Sequence, residues 1–110
     1  MDVMPQTEGH TLVIPKFPAK GLFDLPPEQL SALIVATQKV ADAVRAAFNP
    51  EGLAIMQFNG AAAGQTVFHV HFHILPRYMG RDLNTHAREV AEGSILKAHA
   101  EKIRAALAAR

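Results

Sequence analysis

Apolar side chains recur at helical spacing from Pro27 to Phe48. Leu30, Leu33, Ile34, Thr37, Val40, Ala41, Val44 and Phe48 share one stripe, and Glu28, Lys39, Asp42 and Arg45 fall largely off it. Pro27 and Glu28 suit a first turn, and Asn49-Pro50 stops the helix. A different period governs Val67 to Leu75. Read as a strand, this run puts His69, His71 and His73 on one face and Phe68, Val70, Phe72 and Ile74 on the other, with Pro76 closing it. Three further segments follow from the same reading: a short strand over His10–Pro15, an apolar strand over Gly52–Asn59, and an Ala-rich helix over Ser94–Arg110.

Pro and Gly place the connections. Met1 to Gly9 reads as a strand end entering a turn, and Lys16 to Pro27 as a loop with one helical turn around Leu22 and Phe23. Gly60 to Thr66 makes a loop of small residues before the histidine run, and Arg77 to Asn84 is turn-like. No connection between the last two strands is long enough for a crossover helix. The pattern is therefore α+β: an antiparallel sheet with the long helix packed on it and a second helix at the C-terminus. Phe23 and Phe48 read as core, His86 and His99 as surface.

Composition narrows the function. The chain has 110 residues, enough for one apolar core, and a formal charge of +1. Its basic residues are dispersed, so nucleic acid meets no cationic stripe. Cysteine is absent, which removes disulfides, thiolate nucleophiles and sulfur-ligated zinc. No apolar run reaches bilayer-spanning length and no secretory profile opens the chain, so a cytoplasmic location without membrane contact is expected.

Neutral imidazole is a nucleophile, a base and a metal ligand near neutral pH. Three readings of the histidine row follow. It is a solvated strand face without a role; or a mononuclear metal site, against which stands the lack of a neighbouring carboxylate; or a centre for covalent catalysis at phosphorus. The last draws support from the loop before it. Gly60 and Gly64 let backbone approach an anion, and Gln65 and Thr66 bring donors to the mouth of the strand.

The run Gly64-Gln65-Thr66-Val67-Phe68-His69-Val70-His71-Phe72-His73-Ile74-Leu75-Pro76-Arg77 resembles the signature of the histidine triad (HIT) family. The block Gly9-His10-Thr11-Leu12-Val13-Ile14-Pro15-Lys16 resembles that family's upstream strand, which carries a fourth histidine. The resemblance implies hydrolysis or transfer of nucleoside monophosphates from phosphoramidates and dinucleoside polyphosphates, with a purine nucleotide as substrate and no cofactor or metal. Carried over by position, it makes His71 the nucleophile and His73 a donor to phosphate oxygens. His69 helps fix the ring of His71, partly through its carbonyl, and His10 supports the row from behind. Gln65 and Thr66, with Asn59 and Gly64 beside them, contact the phosphate or leaving group. Asp2 binds the ribose hydroxyls, and Val3 stands at a base-contacting position.

The resemblance covers roughly Asp2 to Arg77, dividing the chain into a HIT domain over 1–82 and a C-terminal helical extension over 83–110. It also brings departures. Phe58 stands where members usually carry Asn or Gln, between Gln57 and Asn59, and Pro18 stands where some bacterial members place a zinc-binding His. The family's N-terminal helix and first strands, which wall the base pocket, have no counterpart before Asp2. A nucleotide-binding module without turnover, or a metal-dependent hydrolase using the same imidazoles, are the alternatives. The apolar strand Leu53–Phe58 corresponds to the one through which the family forms a two-fold dimer, so a homodimer is expected.

Overall fold

The computed structural model describes residues 1–82 and 91–109. In chain order, strand β1 spans Thr11–Val13, helix α1 Pro27–Phe48, strand β2 Gly52–Met56, strand β3 Phe72–Arg77 and helix α2 Gly93–Ala108. Single 3₁₀ turns sit at Leu22–Asp24 and Ala61–Ala63. The fold is α+β, with one antiparallel sheet in the order β1-β3-β2.

Helix α1 has the expected limits because its stop and start signals are local. Pro26 precedes it in an extended conformation, and Pro27 takes a first-turn position that needs no N–H. At its far end Asn49 adopts a left-handed conformation, φ 46°, and its N–H closes on the Arg45 carbonyl. Within the buried stripe, Thr37 survives because its hydroxyl donates to the Leu33 carbonyl at 2.8 Å.

The histidine run is only partly strand. Pairing of β3 with β1 begins at Phe72, opposite Val13, so Val67 to His71 lie before the sheet. That stretch is held by other means: the Val70 N–H donates to the Ala19 carbonyl at 2.8 Å, and Val70 is fully buried against Leu25 and Leu33. Phe68, expected on the core face, is 54% exposed. Pro76, in turn, does not end the strand but lies inside it, opposite Leu53. The Glu51 N–H donates to the Arg77 carbonyl, so the polar groups of Arg77 face β2 and those of Pro76 face the other side. There β1 has already ended, so no ladder bond is missing, and the Thr7 hydroxyl takes the Pro76 carbonyl at 2.9 Å. β1 and β2 are likewise shorter than the apolar runs that predict them.

Two clusters make the core. One joins Ala43 and Val44 of α1, Ile74 of β3 and Ile103 of α2; the other joins Leu25, Leu33 and Val70. A buried aliphatic side chain of this kind contributes about 1.5–3 kcal/mol. Phe48 packs against the first cluster as expected, but Phe23 is 86% exposed on its 3₁₀ turn and Leu25 takes the inward place. Ile34 leaves the stripe too and is half-exposed beside Val35. His99 is a further correction. It lies in the seam between α1 and α2, its ring edge-on to Phe48 at 5.0 Å. His86 lies outside the described residues.

Candidate active site

Four histidines approach the start of β3, and their hydrogen bonds assign the ring protons. His10, the residue before β1, is buried. A backbone N–H only donates, so His10 Nδ1 accepts from Gln6 at 3.1 Å and the proton of its neutral ring sits on Nε2. His10 Nε2 lies 2.9 Å from His73 Nδ1 and donates to it. His73 is thereby left with its own proton on Nε2. Burial is the main cause that lowers the pKa of both rings. For His10, Asp2 pulls the other way; His73 is pushed down to about 4, with the neighbouring His10 and His71 adding to the effect. Both rings are neutral at neutral pH.

His71 is set by a different contact. Its Nδ1 lies 2.7 Å from the His69 carbonyl, which only accepts, so Nδ1 carries the proton and Nε2 keeps a free lone pair. The His71 and His73 rings meet edge-on, centroids 4.8 Å apart. A nucleophilic nitrogen thus stands beside an N–H donor. That pairing suits attack on a centre whose oxygens gain negative charge. The third member of the row is turned away: His69 Nε2 donates to the Pro15 carbonyl at 2.7 Å and ties the strand approach to the end of β1.

The loop before the row departs from expectation. Gln65 is buried, and its amide is spent inside the protein. Its Oε1 accepts from Gly60 N–H at 2.8 Å, and its Nε2 donates to the Lys20 and Val67 carbonyls. Asn59 is spent in the same way, exchanging two hydrogen bonds with the Gln57 amide and accepting from Leu22 N–H at 2.8 Å. The Gly64 N–H closes on the Ala61 carbonyl. Gln65, Asn59 and Gly64 therefore shape the loop rather than present donors to an anion. Gly64 is needed for its backbone, at φ 105° against the Phe58 ring. Thr66 stays exposed at the mouth. Phe58 reaches His73 with ring centroids 5.3 Å apart, a contact invisible to residue-type reasoning.

At the N-terminal side, Asp2 Oδ1 accepts from Met4 N–H at 2.9 Å, and Oδ2 lies 3.5 Å from His10 Nε2. Val3 is exposed, its carbonyl bonded to Ala91 N–H. Asp2, His10 and His73 offer ligand atoms within 4.8 Å of one another, the spacing of a cation site. Their hydrogen bonds argue otherwise. A metal would need lone pairs on His10 Nε2 and His73 Nδ1, whereas the Gln6 contact places a proton between those atoms. The three imidazoles of the row do not converge on a common point either, because His69 is bonded elsewhere.

The family model of the HIT domain matches residues 1–80. The chain belongs to the HIT family. The crystal structure of a HIT-like protein from Bartonella henselae, described as involved in cell-cycle regulation, superposes with a TM-score of 0.91 at 50% identity over 96% of this chain and 76% of that one. Protein hit of Bacillus subtilis is 39% identical over 101 residues, 92% of this chain and 64% of its own length. An adenylylsulfatase of Arabidopsis thaliana is 36% identical over 77 residues, 70% of this chain and 39% of its own. This HIT chain thus spans less than two thirds of the curated relatives it matches. None of its described helices is long and apolar enough to cross a membrane.

Proposed function

We propose that the protein is a nucleotidyl hydrolase or transferase. It acts at the α-phosphorus of nucleoside phosphoramidates or dinucleoside polyphosphates through a nucleotide carried on His71. The observation that carries this reading is the 2.7 Å contact between His71 Nδ1 and the His69 carbonyl, which leaves the Nε2 lone pair free. In the first step Nε2 bonds to phosphorus and the leaving group departs with the bonding pair, an amine taking up a proton from water as it goes. In the second step water attacks phosphorus, the N–P bond breaks back onto Nε2, and a proton is released. His73 Nε2–H stabilises the phosphoryl oxygens in both. The Arabidopsis relative, named for action on an adenylyl sulfate, supports adenylyl chemistry of this kind. Residues 1–82 would form the catalytic HIT domain, with 83–110 as its helical extension, in a cytoplasmic enzyme needing no metal or cofactor.

The test is acid quench of the wild type during turnover of an adenosine phosphoramidate labelled at phosphorus. Label on the protein in the wild type, and none in His71→Ala, is the expected outcome; no label in the wild type overturns the covalent route. One observation favours a second reading, a nucleotide-binding module without turnover: the Gln65 and Asn59 amides are bound internally and Phe58 covers one side of His73. Binding of AMP without release from any phosphoramidate would establish it.

A homodimer belongs to the same proposal. β2 is a sheet edge, and Ile55 on it is 44% exposed. With Ile34, Val35 and Leu53 it lines a groove of about 890 Å³ beside α1. An apolar edge of this kind is stabilised by a second copy. Sedimentation as a monomer at micromolar concentration would overturn it.

A further inference from the structure

The segment that carries Asp2 and His10 has no regular secondary structure over residues 1–10, so no ladder of hydrogen bonds sets its position. Its tethers come from elsewhere, several of them from residues beyond the 1–80 match. Ala91, two residues before α2, donates its N–H to the Val3 carbonyl at 2.8 Å. Met1 packs against the cluster that contains Ile103 of α2. His99 Nε2 lies 3.6 Å from Glu8 Oε1, and Arg81 lies 3.8 Å from the other oxygen of the same carboxylate. The Tyr78 hydroxyl donates to the Glu8 carbonyl at 3.3 Å.

We propose that the C-terminal helix and its lead-in are a working part of the site, with Ala91 and His99 as positioning residues that hold Asp2 and His10 in register with His73. This inference rests on the reading of His71 and His73 as nucleophile and donor. Little slack separates the grip from the site. Glu8 stands two residues before His10, and Gly9 between them fits so closely that a Cβ there would lie 3.1 Å from both Phe48 and Pro76. On the inner side, Asp2 N–H donates to the His10 carbonyl at 3.0 Å and Gln6 N–H donates to His10 Nδ1. A shift of Glu8 or Val3 is therefore passed to the contact that fixes the His10 proton, and through it to His73. It is not passed to His71, which takes its orientation from the His69 carbonyl.

Two variants of the full chain test this. Ala91→Pro deletes the N–H that Ala91 gives to the Val3 carbonyl, with Ala91→Gly as the control that keeps it. His99→Leu removes the polar contact to Glu8 while keeping bulk against Phe48, and His99→Gln restores a donor. Imidazole ¹⁵N shifts read the tautomers, and turnover and AMP binding read the site. Ala91→Pro and His99→Leu are expected to mix the His10 and His73 tautomers while His71 keeps its Nδ1–H form. They are expected to lower kcat roughly fivefold, since misplacement well short of 1 Å is costly at a reacting centre. Ala91→Pro is further expected to erase the preference for AMP over dAMP that a placed Asp2 would confer. Ala91→Gly and His99→Gln should stay near the wild type. Unchanged His10 and His73 signals in both disrupting variants, with only a lowered Tm, would overturn the proposal. Should the wild type neither turn over nor bind nucleotide, the proposed function fails, yet the tautomer readout still decides this one.

Discussion

His71 takes its orientation from the carbonyl two residues before it, whereas His73 takes its from His10, 63 residues away in the chain. The front of the site is a local device, needing only the short turn of backbone that brings the His69 carbonyl to His71. The back is a tertiary one, in which Gln6, His10 and Asp2 must all be delivered by a segment without regular structure. The two halves also differ electrically. His10 and His73 are driven toward the neutral form chiefly by burial; a neighbouring protonated imidazole opposes protonation further, and only the Asp2 carboxylate pulls the other way. In such an arrangement the His73 contact moves with distant parts of the fold, whereas the His71 contact to the His69 carbonyl does not.

Breaking the front should cost most. His71→Ala removes the atom proposed to bond to phosphorus, so turnover of an adenosine phosphoramidate is expected to fall by at least ~10³-fold with AMP affinity little changed. Residual activity within tenfold of the wild type would place the nucleophile elsewhere. Breaking the back should cost less. His10→Leu keeps the bulk of a buried ring and deletes the proton given to His73 Nδ1. The expected loss in kcat is on the order of 10- to 100-fold, because His73 remains but with its tautomer and angle unfixed. Equal losses in the two variants would erase the distinction between the halves.

The same division explains what the sequence disclosed. The limits of α1 were legible because Pro27, Asn49 and Pro50 act on their own neighbours. The alternation of His with apolar residues marks out the histidine run, but not the bends at 67–69 that turn His69 away from the row. The start of β3 is not legible either, since alternation does not say where pairing begins, and only the partner β1 decides it. Residue type points Gln65 and Asn59 toward a ligand, since an amide beside a glycine loop serves an anion and a backbone carbonyl equally well. Whether Lys20 and Leu22 lie within reach is a tertiary fact. Residue type puts Phe23 inside and His99 outside, and the structure reverses both, because a ring's type says little about which single turn or helix face carries it. The Gln6 N–H, which assigns the His10 proton, belongs to backbone and leaves no trace in side-chain pattern at all.

The finest comparison between the halves is thermodynamic. The folded pKa of His73 is pushed to about 4 from an ordinary histidine value of 6.5. Above that ordinary value neither folded nor unfolded His73 binds a proton, and the residue contributes nothing to pH dependence. As pH falls through it, the unfolded chain takes up a proton that the folded protein refuses, so stability declines until the folded ring titrates too. The loss therefore falls between pH 6.5 and about 4 and levels off below. Burial of His10 acts in the same direction. Carboxylates elsewhere titrate in the same interval, so the informative quantity is a difference: the Tm of the wild type minus that of His73→Gln, followed from pH 7 to pH 4. The wild type is expected to lose several degrees more than the variant across that interval. Parallel curves would mean that the back half carries no proton penalty, and that burial does not hold the His73 ring neutral.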